Sequence, residues 1–172
     1  REAEALEAEA RASGLHVRLI RADAYTLKEL AAERLLAVVI STQGDGDPPD
    51  DALAFVEFLD GRRAPALNDL KFTVLGLGDS SYPHFNAVAR KIDARLAELG
   101  GTRLSSVAQA DVDIAQVAVP WRQDALRQSR ELLKTEKSSV SVTALRAVAA
   151  SASFGRDNPL QAEVLVNQRI TG

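Results

Sequence analysis

Two long apolar runs constrain this chain most: the continuous Leu35-Leu36-Ala37-Val38-Val39-Ile40 and Phe72-Thr73-Val74-Leu75-Gly76-Leu77. A strand with one wet face alternates apolar and polar residues. A run that is apolar at nearly every position suits a strand covered on both faces, as in a parallel sheet packed between helices. The flanking segments carry the other period. Arg1 to Ala12 is Ala- and Glu-rich and favours helix, stopped at Ser13-Gly14. Leu53, Val56 and Leu59 share one helical face, as do Val88, Ile92, Leu96 and Leu99. Leu15 to Ile20 and Arg103 to Val107 read as further strands, and Leu27 to Glu33 as a short helix. Asp113 to Lys134 reads as a last helix, kinked or restarted at Pro120, with Trp121 in its core face. Strands that alternate with helices predict an α/β fold with a doubly wound parallel sheet.

In such sheets ligands bind beyond the carboxyl ends of the strands. Each apolar run is followed there by an unusual loop. The first is Ser41-Thr42-Gln43-Gly44-Asp45-Gly46-Asp47-Pro48-Pro49-Asp50. Its glycines permit close backbone approach to a flat ligand, and equally suit a surface turn before a helix. The second is Gly78-Asp79-Ser80-Ser81-Tyr82-Pro83-His84-Phe85-Asn86, with two aromatics in a chain that is only 5% aromatic. Tyr82 is placed to stack on a planar ring, whereas Phe85 reads rather as packing beneath the loop. Asp111 and Asp113 follow the last strand at the same edge and suit capping of the final helix as well as a ligand contact. Arg90-Lys91 reads as a solvated face.

Composition excludes several classes. A formal net charge of -3 argues against a general nucleic-acid binder. There is no cysteine, which removes disulfides, thiolate metal sites and cysteine nucleophiles. The two histidines, His16 and His84, are far apart, so no metal site is expected. No apolar run spans a bilayer and no signal peptide is visible, so the expected setting is cytoplasmic, without a membrane segment. No residue reads as a catalytic acid, base or nucleophile. A receiver-type signalling domain shares this topology, but Ile40 leads into Ser41-Thr42-Gln43 and offers no phosphoacceptor aspartate.

The two loops resemble those of the flavodoxin-like FMN domains of diflavin reductases. Ser41 to Pro49 resembles the FMN loop of sulfite reductase flavoproteins, and Leu77 to Asn86 the second flavin loop of the whole group. Leu96-Ala97-Glu98-Leu99-Gly100-Gly101, Arg103-Leu104 and Ala110-Asp111-Val112-Asp113 match in order. Gln43 stands where P450 reductases carry an aromatic, as in the sulfite reductase type. The resemblance implies FMN as cofactor, with Ser41, Thr42, Gln43, Gly44, Asp45, Gly46, Leu77, Gly78, Asp79, Tyr82, Phe85, Asn86 and Asp111 as its binding residues. It implies that Tyr82 stacks on the isoalloxazine, that the Gly44 backbone faces N5, and that Asn86 and the second loop's amides fix the ring edge. Asp111 would lie on the pyrimidine or ribityl side. Asp45 and Asp47 would disfavour added charge on reduced flavin and offer an acidic rim to a basic partner.

Residues 135–158 lose the period and read from composition as a linker, poorly ordered and with few contacts to the domain. The resemblance makes 1–134 the FMN domain, 135–159 the linker and 160–172 the start of an FAD-binding reductase domain, whose first strand Val166 to Gly172 resembles. The family's first strand and Ser/Thr-rich phosphate loop have no counterpart here, so FMN binding is expected to be weak or absent. The missing strand belongs between Leu15–Ile20 and Leu35–Ile40, which should therefore pair poorly. In a parent protein electrons would pass from NADPH to FAD to FMN and on to a haem-containing acceptor such as the sulfite reductase haemoprotein. The alternative is a flavodoxin-like fragment without flavin, acting as a non-catalytic interaction module.

Overall fold

Both apolar runs form parallel strands at the centre of one sheet. The computed structural model describes residues 1–135, 142–147 and 163–165. In chain order the elements are α1 (Glu2–Ala12), β1 (Val17–Arg21), β2 (Leu35–Ser41), α2 (Leu53–Asp60), β3 (Lys71–Leu77), α3 (Ala87–Glu98), β4 (Thr102–Arg103), β5 (Ala108–Ala110), α4 (Ile114–Thr135), β6 (Val142–Ala147) and β7 (Glu163–Leu165). β2 and β3 pair along their whole length, from Leu35↔Lys71 to Ser41↔Leu77. Every residue of β2 is buried, as its unbroken apolar pattern requires.

The two faces of the sheet carry separate cores. On one, Leu36, Val38, Ile40, Phe72 and Val74 meet Phe55, Val56 and Leu59 of α2 and Val88, Ile92 and Leu96 of α3. On the other, Ala37, Val39, Leu75 and Leu77 meet Ala3, Leu6 and Ala10 of α1 and Ala118, Trp121 and Ala125 of α4. Alternate residues of one strand thus serve opposite layers, which is the doubly wound arrangement. Each fully buried Leu, Ile or Phe contributes about 1.5–3 kcal/mol. Trp121 is core, and its indole N–H donates to Thr73 Oγ1 at 2.8 Å, so the buried polar atom is satisfied.

Several expectations are corrected. α4 runs unbroken through Pro120. The proline forgoes a backbone donor, but Ala118, Trp121 and Ala125 on either side of it pack into the core and hold the helix on the sheet. The short helix expected at 27–33 is a 3-10 helix, Leu27–Ala32, rather than an α-helix. The strand expected at 103–107 is split into β4 and β5. β3 pairs Phe72 with Arg103 but Leu75 with Ala108, so β4–β5 accommodates two extra residues as a bulge. Ser105 sits in that bulge and shares a 3.0 Å hydrogen bond with Thr73 Oγ1.

β1 and β2 do not pair, in line with the expected gap between them; the departure from the sequence reading is what fills it. β6, from within the stretch read as a linker, lies between them, parallel to both: Leu19↔Ala144 on one side and Ala37↔Ala144 on the other. An open gap would leave the backbone groups along that side of buried β2 unpaired, and unpaired buried backbone groups are costly. The Val-Thr-Ala-Leu-Arg-Ala segment satisfies them. The rest of the linker stretch, 136–141 and 148–159, lies outside the described residues, as do most of 160–172. Of the latter, β7 pairs antiparallel with β6 and meets β1 at Ile20↔Val164. No helix among the described residues is long and apolar enough to cross a membrane.

If β6 is a central strand, Ala144→Pro removes a ladder donor and should cost roughly 1–3 kcal/mol. Urea unfolding of the full chain measures it. An unchanged midpoint would mean that residues 142–147 do not belong to the sheet.

Candidate functional site

The carboxyl ends of β2 and β3 bring the two singular loops together. Ser41 and Leu77 are paired at the last register position, so residues 42 and 78 leave the sheet side by side. Three contacts join the two loops and the helix beyond them. The amide of Thr42 donates to the carbonyl of Leu77 at 3.4 Å. Thr42 Oγ1 accepts from the amide of Val88 at 3.2 Å, which lets the first loop cap the start of α3. Gly46 lies against His84, where a Cβ would come within 3.0 Å of the histidine Cβ. The expected convergence of the loops is therefore present.

The first loop closes on itself. The Gln43 amide donates to the Asp47 carbonyl at 2.8 Å, and the Gly46 and Asp47 amides donate to the Gln43 carbonyl. Gly44 and Gly46 have φ of 50° and 108°, a region that other residues adopt at a cost, so the turn depends on both glycines. Gly44, Asp45 and Asp47 are exposed at its tip, and Thr42, Gln43 and Gly46 are half-buried.

The second loop is wound around Asp79. Its Oδ1 accepts from the Ser81 amide at 2.9 Å and its carbonyl from the Tyr82 amide at 3.1 Å. The Phe85 amide closes a further turn on the Tyr82 carbonyl. Tyr82 stands out at 62% exposure, far above any residue that packs into a core. Phe85 does the opposite and is half-buried, and a Cβ on Gly78 would come within 3.0 Å of its ring. Gly78 and Asp79 are half-buried too.

Not every sequence-derived residue is presented outward. Ser41, Leu77 and Asn86 are 1%, 4% and 0% exposed. Asn86 adopts a left-handed conformation, φ 51°, at the start of α3 and turns its side chain inward. Its Nδ2 donates to the Ala110 carbonyl at 3.1 Å. The absence of a side chain at Gly76 makes room for it, since a Cβ there would meet Asn86 Oδ1 at 2.7 Å. Asp111 is half-buried and its Oδ1 accepts from the amides of Ser80 at 2.9 Å and Val112 at 2.8 Å. Hydrogen bonds from Ser80, side chain and then backbone, and from the Val112 amide hold its carboxyl below the ordinary carboxylate range. Asp113 accepts from Gln116 Nε2 at 2.8 Å, one turn into the final helix.

Sequence reading missed Arg90. Taken for a solvated residue, it is exposed yet engaged: its guanidinium donates to the Phe85 carbonyl and to Gln109 Oε1, the latter at 2.8 Å. Only its place one turn past Asn86 hinted at this.

The arrangement suits a flat, polar-edged ligand. Three buried side-chain oxygens lack a partner at this edge: Ser41 Oγ, Gln43 Oε1 and Asn86 Oδ1. Beside them stands the exposed ring of Tyr82. No cluster of three or more His, Asp or Glu suited to a metal occurs among the described residues.

Comparison with known proteins agrees with this geometry. The profile of the flavodoxin family matches residues 2–119. The chain is 44% identical, over its whole length, to the sulfite reductase [NADPH] flavoprotein alpha-component of Cronobacter sakazakii, of which it spans 29%. The same protein of Escherichia coli O6:H1 is 43% identical over 100% of the chain and 29% of its own length. For Shewanella sp. ANA-3 the figures are 41%, 99% and 28%. The chain thus spans under a third of these relatives. Among solved structures, the flavodoxin of Streptococcus pneumonia TIGR4 superposes with a TM-score of 0.62 over 78% of this chain and 89% of that one, at 22% identity. A short-chain flavodoxin associated with a non-canonical PDU bacterial microcompartment gives 0.52 over 62% and 74%, at 19% identity. Both likenesses concern the fold.

Because the Asp111 carboxyl is depressed, its hold on Ser80 is complete above the ordinary value of 3.8 and is lost only as pH falls through a lower one. The Ser80 and Val112 amide resonances should titrate together with a midpoint below 3.8. A midpoint at or above that value would contradict the contact.

Proposed function

Since the chain belongs to the flavodoxin family, we propose that its two converging loops hold the isoalloxazine of FMN for electron transfer within a sulfite reductase type of diflavin oxidoreductase. FMN is the cofactor that family membership implies, and its relatives are oxidoreductase flavoproteins. The observation that carries the reading is Tyr82, 62% exposed on a loop whose backbone is otherwise tied down. An aromatic ring that far out of the core gains by stacking on a planar partner. Bound FMN supplies the redox chemistry; this chain's residues bind it and shape its surroundings.

The roles follow position. Thr42, Gln43, Gly44, Asp45 and Gly46 line one side, and Gly78, Asp79, Tyr82 and Phe85 the other. Ser41, Leu77 and Asn86 support them from below. The Gly44 backbone, at the exposed tip of the first loop, would face the edge of bound flavin. Asp45 and Asp47 raise the cost of added negative charge and attract a basic partner. In a longer protein residues 1–134 serve as the FMN domain and 135–172 lead onward to an FAD-binding reductase domain fed by NADPH, with 142–147 and 163–165 paired here into the FMN domain's own sheet. The electron acceptor is a haem protein, with the sulfite reductase haemoprotein foremost, and the setting is cytoplasmic.

The residues named gather at the ring and ribityl end, and the one helix start among them, that of α3, has its Ala87 and Val88 amides already bonded to the His84 carbonyl and to Thr42 Oγ1. FMN and riboflavin should therefore quench on this chain with affinities within about tenfold of each other, since even one charge-assisted bond to phosphate contributes roughly 1.5–3 kcal/mol and about 1.4 kcal/mol is a factor of ten. Tyr82→Ala should weaken both by about tenfold. Flavin fluorescence titration measures this. Binding indifferent to Tyr82 would refute the site, and no binding by either flavin would favour a non-catalytic interaction module.

A further inference from the structure

The second loop is fastened to the sheet by one short stretch. Gln109, Ala110 and Asp111, at the end of β5, each hold a different point of it. Asp111 Oδ1 accepts the Ser80 amide at 2.9 Å. The Ala110 carbonyl accepts the Gly78 amide at 3.0 Å and Asn86 Nδ2 at 3.1 Å. Gln109 Oε1 accepts from Arg90, whose same nitrogen donates to the Phe85 carbonyl. The loop is thus held at its entry, before its apex and at its exit, and Tyr82 lies between the last two.

β5 is itself placed by β3. Gly76↔Gln109 and Leu77↔Ala110 are register pairs, and Leu77 is the residue from which the second loop departs. A displacement of β5 therefore moves all three fastenings together. The ring of Tyr82 is too exposed to be oriented by packing, so its direction is set by its backbone. An aromatic that must be ordered during binding contributes less affinity than one already in place.

We propose that Gln109–Asp111 is a template that shapes the second loop, and that Arg90, Gln109 and Asp111 are positioning residues for Tyr82 rather than contacts of the ligand. The consequence for affinity rests on the flavin reading; the consequence for loop order does not. Asp111 accordingly acts through Ser80.

The test uses the full chain, with amide hydrogen exchange of residues 78–86 and riboflavin titration as paired readouts. Asp111→Ala should speed exchange at Ser80 by about tenfold, the order expected when a hydrogen bond to a charged acceptor is lost. It should also weaken riboflavin binding severalfold. Asp111→Asn keeps an acceptor oxygen and should restore most of both. Gln109→Ala should loosen Phe85 while Gln109→Glu, which still accepts from Arg90, should not. Faster exchange with recovery in the conservative variants supports the template even if the wild-type chain binds no riboflavin, in which case the flavin reading alone fails. Unchanged exchange in both Asp111→Ala and Gln109→Ala overturns the template. So does riboflavin affinity that falls equally in Asp111→Ala and Asp111→Asn with the loop still protected, because Asp111 would then act on the ligand by its charge.

Discussion

The parallel pairing of β2 with β3 is the constraint on which the rest depends. Seven consecutive residues pair from Leu35↔Lys71 to Ser41↔Leu77. Because both strands are covered on both faces, a slip of one residue would exchange the two cores, sending Val38 and Ile40 toward α1 and α4 and Val39 toward α2 and α3. Register is therefore strongly specified. That same register ends both strands at one level, and so determines where Thr42 and Gly78 begin their loops. The site is a consequence of the sheet's packing, carried one residue past its edge.

What lay open in the sequence was whatever the burial pattern writes directly. Leu35–Ile40 and Phe72–Leu77 could hardly be anything but doubly covered strands, and the spacing of Val88, Ile92 and Leu96 identified the buried face of α3. The two loops were conspicuous because glycines and aromatics stand where turns need neither so many nor so bulky residues. The break between β4 and β5 was hidden, since Leu104 and Val107 fit a strand pattern and the bulge depends on Ser105 meeting Thr73. β6 was hidden for a different reason: Val-Thr-Ala-Leu-Arg-Ala has no pronounced period, and its place is determined by the unpaired sides of β1 and β2.

The site was legible by residue more than by direction. Tyr82 points out and Phe85 in, as their surroundings suggested. Asn86, which the resemblance places at the ring edge, has a left-handed backbone, and its side chain lies under the loop where Gly76 leaves it space. Arg90 looks like surface charge because exposure and engagement are compatible: the residue is exposed while its guanidinium bridges Phe85 and Gln109. Long-range side-chain bonds of this kind join residues 19 positions apart and leave no periodic trace.

In the proposed flavin site Thr42–Asp47 and Gly78–Asn86 form one surface for a flat ring, and the end of β5 holds the second loop in place. Amide chemical shifts of the full chain during a riboflavin titration test it most directly. The amides of residues 42–47, 78–82, 84–86 and 110–112 should move together along one saturation curve, while those of α1 and the outer face of α4 stay still. Shifts confined to one loop, or centred on α1 and α4, would contradict it.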